Sequence, residues 1–146
     1  MEPAVKQPEI RFYETAEDAS VGFSVIVARH EGQWVFCRHR ERSTWECPGG
    51  HREKGETLEE TAARELFEET GAEEYELRFL GYYAVVSRDG ESLGALYTAE
   101  IRRFAPLPSG FEIAEINITP DLPGNWTYPD IQPKLLAYAQ RRLAES

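Results

Sequence analysis

The sequence predicts a mixed α/β fold in which helices pack on a central β-sheet. Its 146 residues are enough for one domain with one hydrophobic core. Hydrophobic residues make up 41% of the chain and charged residues 29%, which is typical of a folded globular protein. Runs rich in β-branched residues alternate with amphipathic segments, and no linker or internal repeat separates them. We therefore expect residues 1–146 to form a single domain.

The first predicted element is a β-hairpin. Residues 21–28 (VGFSVIVA) and 34–37 (WVFC) are strand-like, and Glu31 and Gly32 between them are typical of a tight turn. The Pro-Gly-Gly segment at 48–50 then predicts a loop that leads towards the next element.

A helix is predicted to begin after Thr57. Thr57 can cap its N-terminus, and Glu60, three residues later, completes a capping box. Gly71 is the expected C-terminal stop.

The second half of the chain predicts three more strands and a final helix. The expected elements are strands over 76–87 and 93–101 around the turn 88–90, a loop over 106–110, a strand from Phe111 (FEIAEINI), an irregular segment over 120–129, and an amphipathic helix from Asp130.

Charge and composition exclude several classes of protein. The 26 Asp and Glu residues outnumber the 16 Lys and Arg residues, and the resulting net charge of −10 disfavours binding of a nucleic-acid polymer through its phosphates. Cys37 and Cys47 match neither a disulfide framework nor a zinc site, so we expect buried thiols in a reducing compartment. The start MEPAVKQPEIR has no secretory apolar region, and no apolar stretch is long enough to span a membrane. These features favour a cytoplasmic protein with no membrane partner.

Three glutamates crowd one side of the first predicted helix. At 3.6 residues per turn, Glu65, Glu68 and Glu69 fall within an arc of about 100°, whereas Leu66 and Phe67 point mostly away from it. Like charges three or four residues apart repel, and the C-terminal half of a helix is already negative. A solvated Glu-rich face is one interpretation of this pattern. The other is a divalent cation, Mg²⁺ or Mn²⁺, which prefers oxygen ligands and binds together with substrate phosphates.

The segment 50–72, GHREKGETLEETAARELFEETGA, resembles the Nudix box. That pattern is Gly, five residues, Glu, seven residues, Arg-Glu, an apolar residue, any residue, Glu-Glu, any residue, Gly and an apolar residue. Every fixed position matches, and only the closing apolar position, Ala72, is weak. The matching residues are Gly50, Glu56, Arg64, Glu65, Leu66, Glu68, Glu69 and Gly71.

The resemblance implies an α/β/α sandwich with a mixed central sheet, and a hydrolase that uses Mg²⁺ or Mn²⁺. Its substrate would be a nucleoside diphosphate linked to another moiety, cleaved at the diphosphate linkage. The implied metal ligands are Glu65, Glu68, Glu69 and the carbonyl of Gly50. Arg64 would orient these carboxylates through charge-assisted hydrogen bonds, although an ordinary helix ion pair with Glu60 or Glu68 stays open.

Members of the family commonly add an acidic residue from a later loop or strand. Glu112 and Glu115 are the candidates here, and we favour Glu112 as a further metal ligand because it lies nearer the preceding loop. Glu56 is expected to tie the loop to the start of the helix. Strand alternation exposes glutamate side chains in any case, so an exposed Glu112 without a role is equally open.

Substrate-binding residues are harder to select. Arg40, from the basic cluster 38–42, could meet a phosphate through two hydrogen bonds, and Trp45 and Trp126 could stack on a base. The alternatives are an exposed turn for Arg40 and core packing for both tryptophans. A homodimer is left open.

The chain looks most like family members that act on nucleoside triphosphates. Its short length and Pro-Gly-Gly entry to the box are similar to enzymes that remove oxidised nucleotides such as 8-oxo-dGTP, with a monophosphate and pyrophosphate as products. Hydrolysis of another nucleoside diphosphate derivative, such as a nucleotide sugar, is one alternative. An inactive nucleotide-sensing module is a second, and a related isopentenyl diphosphate isomerase is a third.

Overall fold

The computed structural model describes residues 8–145, which form seven strands and two α-helices. Residues 1–7, on which the expected absence of a secretory apolar region partly rests, lie outside this range, as does residue 146. In chain order the elements are β1 (Glu9–Tyr13), β2 (Val21–His30), β3 (Gln33–His39), β4 (Gly49–His51), α1 (Leu58–Thr70), β5 (Ala72–Ser87), β6 (Gly90–Phe104), β7 (Ile113–Thr119) and α2 (Gln132–Ala144).

One mixed sheet contains all seven strands. Their order is β1-β5-β6-β2-β3-β7, and β4 pairs with β2. β2 and β6 run parallel, while the remaining pairs are antiparallel. Along β2, residues 28–30 pair with β3 and residues 23–25 pair with β4. Beyond the hairpin turn, β3 continues beside β7, so β4 takes the place next to β2 that β3 leaves.

A hydrophobic core lies on each face of the sheet. Under α1, the buried side chains of Ala62 and Leu66 pack with residues of β2, β3 and β6. Under α2, Leu135, Leu136 and Ala139 pack on the opposite face. The two helices therefore sandwich the sheet, and the expected α/β/α architecture with a mixed sheet is confirmed.

Local sequence signals predicted several element boundaries correctly. Glu31 and Gly32 adopt φ of 49° and 80° in the turn between β2 and β3, which is the conformation a two-residue hairpin requires. Thr57 and Glu60 form the reciprocal capping box at the start of α1. Gly71 ends α1 in the left-handed region with φ of 79°.

Other expectations were wrong in detail. Gly49 and Gly50, predicted to lie in a loop, form part of β4 because their backbones pair with β2. Strand β1 was not predicted, since its five residues contain only a weak alternation and depend on pairing with β5. Phe67 does not face the core and is 43% exposed, because α1 packs through Ala62 and Leu66 instead.

Two predictions about thiols and membranes can be compared with the described residues. Cys37 and Cys47 are both buried free thiols, as predicted. Within residues 8–145, no helix is both long enough and apolar enough to cross a membrane.

Candidate active site

Helix α1 brings two of its glutamates against the short strand β4. The capping box fixes where α1 begins, so the i, i+4 spacing places Glu65 and Glu69 on the same face. The side chain of Glu69 is only 9% exposed and that of Glu65 only 14%. Two carboxylates therefore stand largely buried at the edge of the sheet, where burial disfavours their charged forms.

Glu69 is held by two donors. Its Oε1 accepts a hydrogen bond of 2.7 Å from the backbone N–H of Gly49, and its Oε2 lies 3.4 Å from Nε2 of His39. Burial nevertheless raises the pKa of Glu69, and the bonds from His39 and Gly49 offset only part of that shift. The position of this carboxylate is thus set by β3 and β4 as well as by its own helix.

Glu65 lies against Gly50. A Cβ atom on Gly50 would collide with the Glu65 carboxylate, so the absence of a side chain at this position makes room for it. Burial, followed by the charge of Glu69, raises the pKa of Glu65 to about 7. The hydrogen bond from Arg64 offsets only part of this shift, so the charged carboxylate stays disfavoured unless a further cation is present.

Arg64 joins these acids to the loop before the helix. Its guanidinium donates two hydrogen bonds to Glu56, of 2.6 and 3.0 Å, a further bond of 2.8 Å to Glu65, and a longer one of 3.4 Å to Glu68. The hydrogen bond from Arg64 holds the pKa of Glu56 down at about 2. Glu56 also accepts hydrogen bonds from the backbone N–H of Glu53 and the hydroxyl of Thr61. Arg64 and Glu56 therefore lock the loop onto the helix, as the sequence predicted for Glu56.

Two further residues were not selected from the sequence. Nε2 of His39 lies 3.5 Å from Glu46 and 3.4 Å from Glu69, and its Nδ1 lies 3.4 Å from Glu112. The hydrogen bond to Glu69 is the main reason that the pKa of His39 is raised. His39 lay within the basic segment that predicted an anion site, but only the approach of β3 to α1 places it among carboxylates. We call Glu46, Glu65, Glu68 and Glu69, together with His39, the acidic cluster.

The acidic cluster is bordered by two cavities. The first has a volume of about 240 Å³ and is lined by aliphatic and aromatic side chains, with Glu46, Gln132 and the two glycines of β4 at its polar parts. The second, of about 400 Å³, is lined mainly by polar residues, including Arg40, Arg42 and Glu112. The first cavity therefore offers an apolar environment, and the second offers two arginines together with acidic groups.

The donor set fits a hard divalent cation. Within residues 8–145, no three His, Cys, Asp or Glu side chains form a preassembled metal-binding group. The carboxylates of Glu65 and Glu69 are nevertheless largely buried. The charge of Glu69 raises the pKa of Glu65, and the charge of Glu46 raises the pKa of Glu69. Carboxylate oxygens beside backbone carbonyls are ligands of the type that Mg²⁺ and Mn²⁺ prefer.

Comparison with known proteins decides the family. A family model, the NUDIX domain, matches residues 18–128, a range that covers most of the chain and all of α1. The chain belongs to the Nudix family. Hydrolases of this family generally need divalent metal ions, in agreement with the oxygen-rich donor set.

Three relatives illustrate the similarity. A Bacillus subtilis protein named "Putative 8-oxo-dGTP diphosphatase YtkD" is 34% identical over 100 residues, or 68% of this chain and 63% of its own length. An RNA pyrophosphohydrolase of Bartonella henselae is 29% identical over 133 residues, covering 77% of this chain and 76% of its own. The crystal structure of the Bacillus subtilis pyrophosphohydrolase BsRppH superposes with a TM-score of 0.77 at 26% identity, covering 92% of this chain and 90% of that one. This chain thus spans somewhat less than two thirds of the YtkD protein.

The structure brings together the residues of the Nudix box but separates the predicted substrate-binding residues. Arg40 lines the second cavity. Trp45 and Trp126 pair through their backbones and pack against the core under α2, with Trp126 edge-on to Phe36 at 5.3 Å between ring centroids. Neither tryptophan is among the residues lining the first cavity. Base stacking by Trp45 and Trp126 therefore stays a prediction, and their described contacts are with the protein interior.

The predicted acidic ligand outside the box also has a defined place. Glu112 precedes β7, its side chain is 87% exposed, and it reaches the acidic cluster through His39. Glu115 instead forms an ion pair of 2.9 Å with Arg38. Of the two candidates, Glu112 is the one that borders the acidic cluster.

Proposed function

We propose that this Nudix protein hydrolyses the diphosphate linkage of a nucleoside diphosphate linked to another moiety, in a reaction that depends on Mg²⁺ or Mn²⁺. The observation that carries the proposal is the pair of buried carboxylates, Glu65 and Glu69, held beside Gly50 and Gly49. These crowded acids lie at the negative end of a helix, and the contacts from Arg64, His39 and the Gly49 N–H leave the pKa values of Glu65 and Glu69 raised. A divalent cation supplies the remaining compensation.

Glu65, Glu68, Glu69 and the carbonyl of Gly50 would hold the cation. When bound, it neutralises the substrate phosphates and lowers the pKa of a water molecule. Arg64 keeps Glu65 and Glu68 oriented through its hydrogen bonds, and Gly49 and His39 do the same for Glu69. A carboxylate of the site accepts the proton when water attacks phosphorus.

The substrate we favour is a nucleoside triphosphate, including oxidised forms such as 8-oxo-dGTP. The acidic cluster borders an apolar cavity and a polar cavity that contains Arg40 and Arg42, which matches a molecule with a base at one end and phosphates at the other. Arg40, a lining residue of the second cavity, would contact the phosphate that leaves. The products are a nucleoside monophosphate and pyrophosphate. The relative named for 8-oxo-dGTP supports this choice.

Removal of pyrophosphate from RNA is the second candidate. It is favoured by the 133-residue similarity to the RNA pyrophosphohydrolase of Bartonella henselae. The net charge of −10 opposes extended contact with a nucleic-acid backbone. The buried free thiols Cys37 and Cys47 fit a reducing compartment, and we place the protein in the cytoplasm.

A substrate panel tests these proposals. Purified protein is incubated with dGTP, 8-oxo-dGTP, a nucleotide sugar or a short triphosphorylated RNA, with Mg²⁺, with Mn²⁺ and with a chelator. The products measured are phosphate, pyrophosphate, nucleoside monophosphate and, for the nucleotide sugar, sugar phosphate. We expect metal-dependent pyrophosphate release from the triphosphates, abolished in Glu69→Gln and retained in the control Glu59→Gln on the exposed first turn of α1. Nucleotide binding without turnover of any substrate would refute hydrolysis and favour the sensing module.

A further inference from the structure

The first cavity has walls suited to a flat, uncharged group. Phe23 and Tyr83 contribute aromatic rings that meet edge to face, with centroids 5.7 Å apart, and Leu135 contributes an aliphatic wall from α2. None of the described lining residues is Lys or Arg, and one of them is the carboxylate Glu46. A phosphate would be repelled from such a cavity, whereas a planar ring gains contact area. Its volume of about 240 Å³ is below the roughly 300–1,000 Å³ of pockets that enclose whole ligands, so it suits one part of a nucleotide.

Gln132 is the polar side chain that α2 contributes to this cavity. The residue is only 5% exposed. Its Oε1 accepts a hydrogen bond of 2.7 Å from the backbone N–H of Cys47. A backbone N–H can only donate, so it must face the amide oxygen, and this contact fixes which end of the amide is oxygen and which is nitrogen.

The amide nitrogen of Gln132 therefore points its two N–H groups elsewhere. Within residues 8–145, Nε2 has no hydrogen-bond partner, and no side-chain nitrogen or oxygen there is both fully buried and unpaired. Nε2 must accordingly keep some accessible surface, and Gln132 is one of the residues that line the first cavity. The cavity thus presents a donor whose polarity is set by the backbone of Cys47.

We propose that the first cavity binds a purine base and that the Gln132 amide selects a 6-oxo purine, guanine or hypoxanthine, over adenine. A 6-oxo group accepts a hydrogen bond, whereas the 6-amino group of adenine donates. The Nε2 donor of Gln132 can pair with the first and leaves two donors facing each other with the second. This inference rests on the proposed function for the orientation of the nucleotide, with phosphates at the acidic cluster.

Product nucleotides provide the test, because their binding is measured without turnover. The dissociation constants of IMP and AMP, which differ at position 6 and in the adjacent N1 proton, are compared by calorimetry with Mg²⁺ present. We expect the wild-type protein to bind IMP about tenfold more tightly than AMP. This factor corresponds to about one hydrogen bond that Nε2 of Gln132 makes with IMP and cannot make with AMP. Gln132→Glu keeps an oxygen for the Cys47 N–H and replaces the donor by an acceptor, so the preference should reverse towards AMP. The control is Gln140→Glu, the same change at an exposed position of α2, which should leave the preference unchanged.

Equal binding of IMP and AMP by the wild-type protein would overturn the inference, as would an unchanged preference in Gln132→Glu. Circular dichroism and thermal unfolding establish that each variant is folded.

If Gln132→Glu does not fold, Gln132→Met, which has similar volume and no donor, takes its place. A preference close to one in that variant supports the inference, and an unchanged preference contradicts it. Discrimination between IMP and AMP without triphosphate turnover would refute the proposed hydrolysis alone, whereas turnover without discrimination would refute the role of Gln132 alone.

Discussion

Replacing Glu65 by glutamine should stabilise the metal-free protein at pH 8. The Glu65 side chain is 14% exposed and lies against Gly50. Burial and the charge of Glu69 raise its pKa from 4.5 to about 7, even though Arg64 donates a hydrogen bond to it. The folded protein therefore holds a proton on Glu65 more tightly than the unfolded chain does, and ionising this group at pH 8 opposes folding. Glutamine removes that cost and keeps the shape of the side chain.

The size of the effect follows from the shift in pKa. A rise from 4.5 to about 7 corresponds to about 3 kcal/mol at 1.36 kcal/mol per unit. Solvent at the open edge of the site screens part of this, so we expect a gain of about 1–2 kcal/mol for Glu65→Gln at pH 8. The free energy of unfolding contributed by this group falls as pH rises from 4.5 to 7, so below pH 4.5 the variant should gain nothing from it.

Urea denaturation in the presence of a chelator measures this difference. Wild type, Glu65→Gln and the control Glu59→Gln are compared at pH 8 and at pH 5. The control lies on the exposed first turn of α1 and should change the free energy of unfolding by no more than about 0.5 kcal/mol. Saturating Mg²⁺ should then stabilise the wild type more than Glu65→Gln, because the cation replaces the proton that glutamate gives up.

One result would refute the reasoning behind this prediction. If Glu65→Gln were less stable than wild type at pH 8 without metal, the ionised Glu65 would stabilise the fold through Arg64, and burial would not disfavour its charged form. An equal stabilisation of both proteins by Mg²⁺ would likewise remove Glu65 from the metal site.

Further predictions concern four residues in or near the site. Gly50→Ala should keep the fold but lower both Mg²⁺ affinity and turnover at least about tenfold, because the added Cβ displaces the flexible Glu65 carboxylate. Gly49→Ala should instead lower the melting temperature, because its Cβ would lie 2.6 Å from a backbone oxygen of β2. Glu56→Gln should make the free energy of unfolding less dependent on pH between 4.5 and about 2. The stability that comes from the lowered pKa of Glu56 is present above pH 4.5 and is lost as pH falls through about 2. Acid titration followed by circular dichroism tests this. Arg40→Gln should raise the KM for triphosphates severalfold with little change in kcat, whereas an unchanged KM would exclude a phosphate contact.

Local features of the fold could be predicted because their physical causes lie within a few residues. The capping box of Thr57 and Glu60, the left-handed stop at Gly71 and the turn at Glu31 each depend on backbone geometry that neighbouring residues determine. Strand β1 and the pairing of β4 could not be predicted in this way. Both depend on strands far away in sequence, β5 for the first and β2 for the second.

In the candidate site, too, the features that could be predicted are local and those that could not depend on residues far apart in sequence. Helical periodicity put Glu65, Glu68 and Glu69 on one side of α1, and the Nudix box fixed their expected roles. The box gave no basis for choosing His39 and Glu46. His39 contacts both Glu46 and Glu69 only because β3 and the segment before β4 approach the helix. The positions of Trp45 and Trp126 in the sequence suggested base contacts and left core packing open, because exposed and buried aromatic side chains look alike in a sequence.

By itself, the amino-acid sequence determined the family, the acidic helix face and the layered α/β architecture, since these depend on spacing along the chain. The tertiary structure decided which side chains share a cavity and in which direction they donate hydrogen bonds. Gln132 shows the reason most clearly. Its amide acquires a direction only where the N–H of Cys47, 85 positions earlier, meets its oxygen, and no local pattern encodes a contact between residues so far apart.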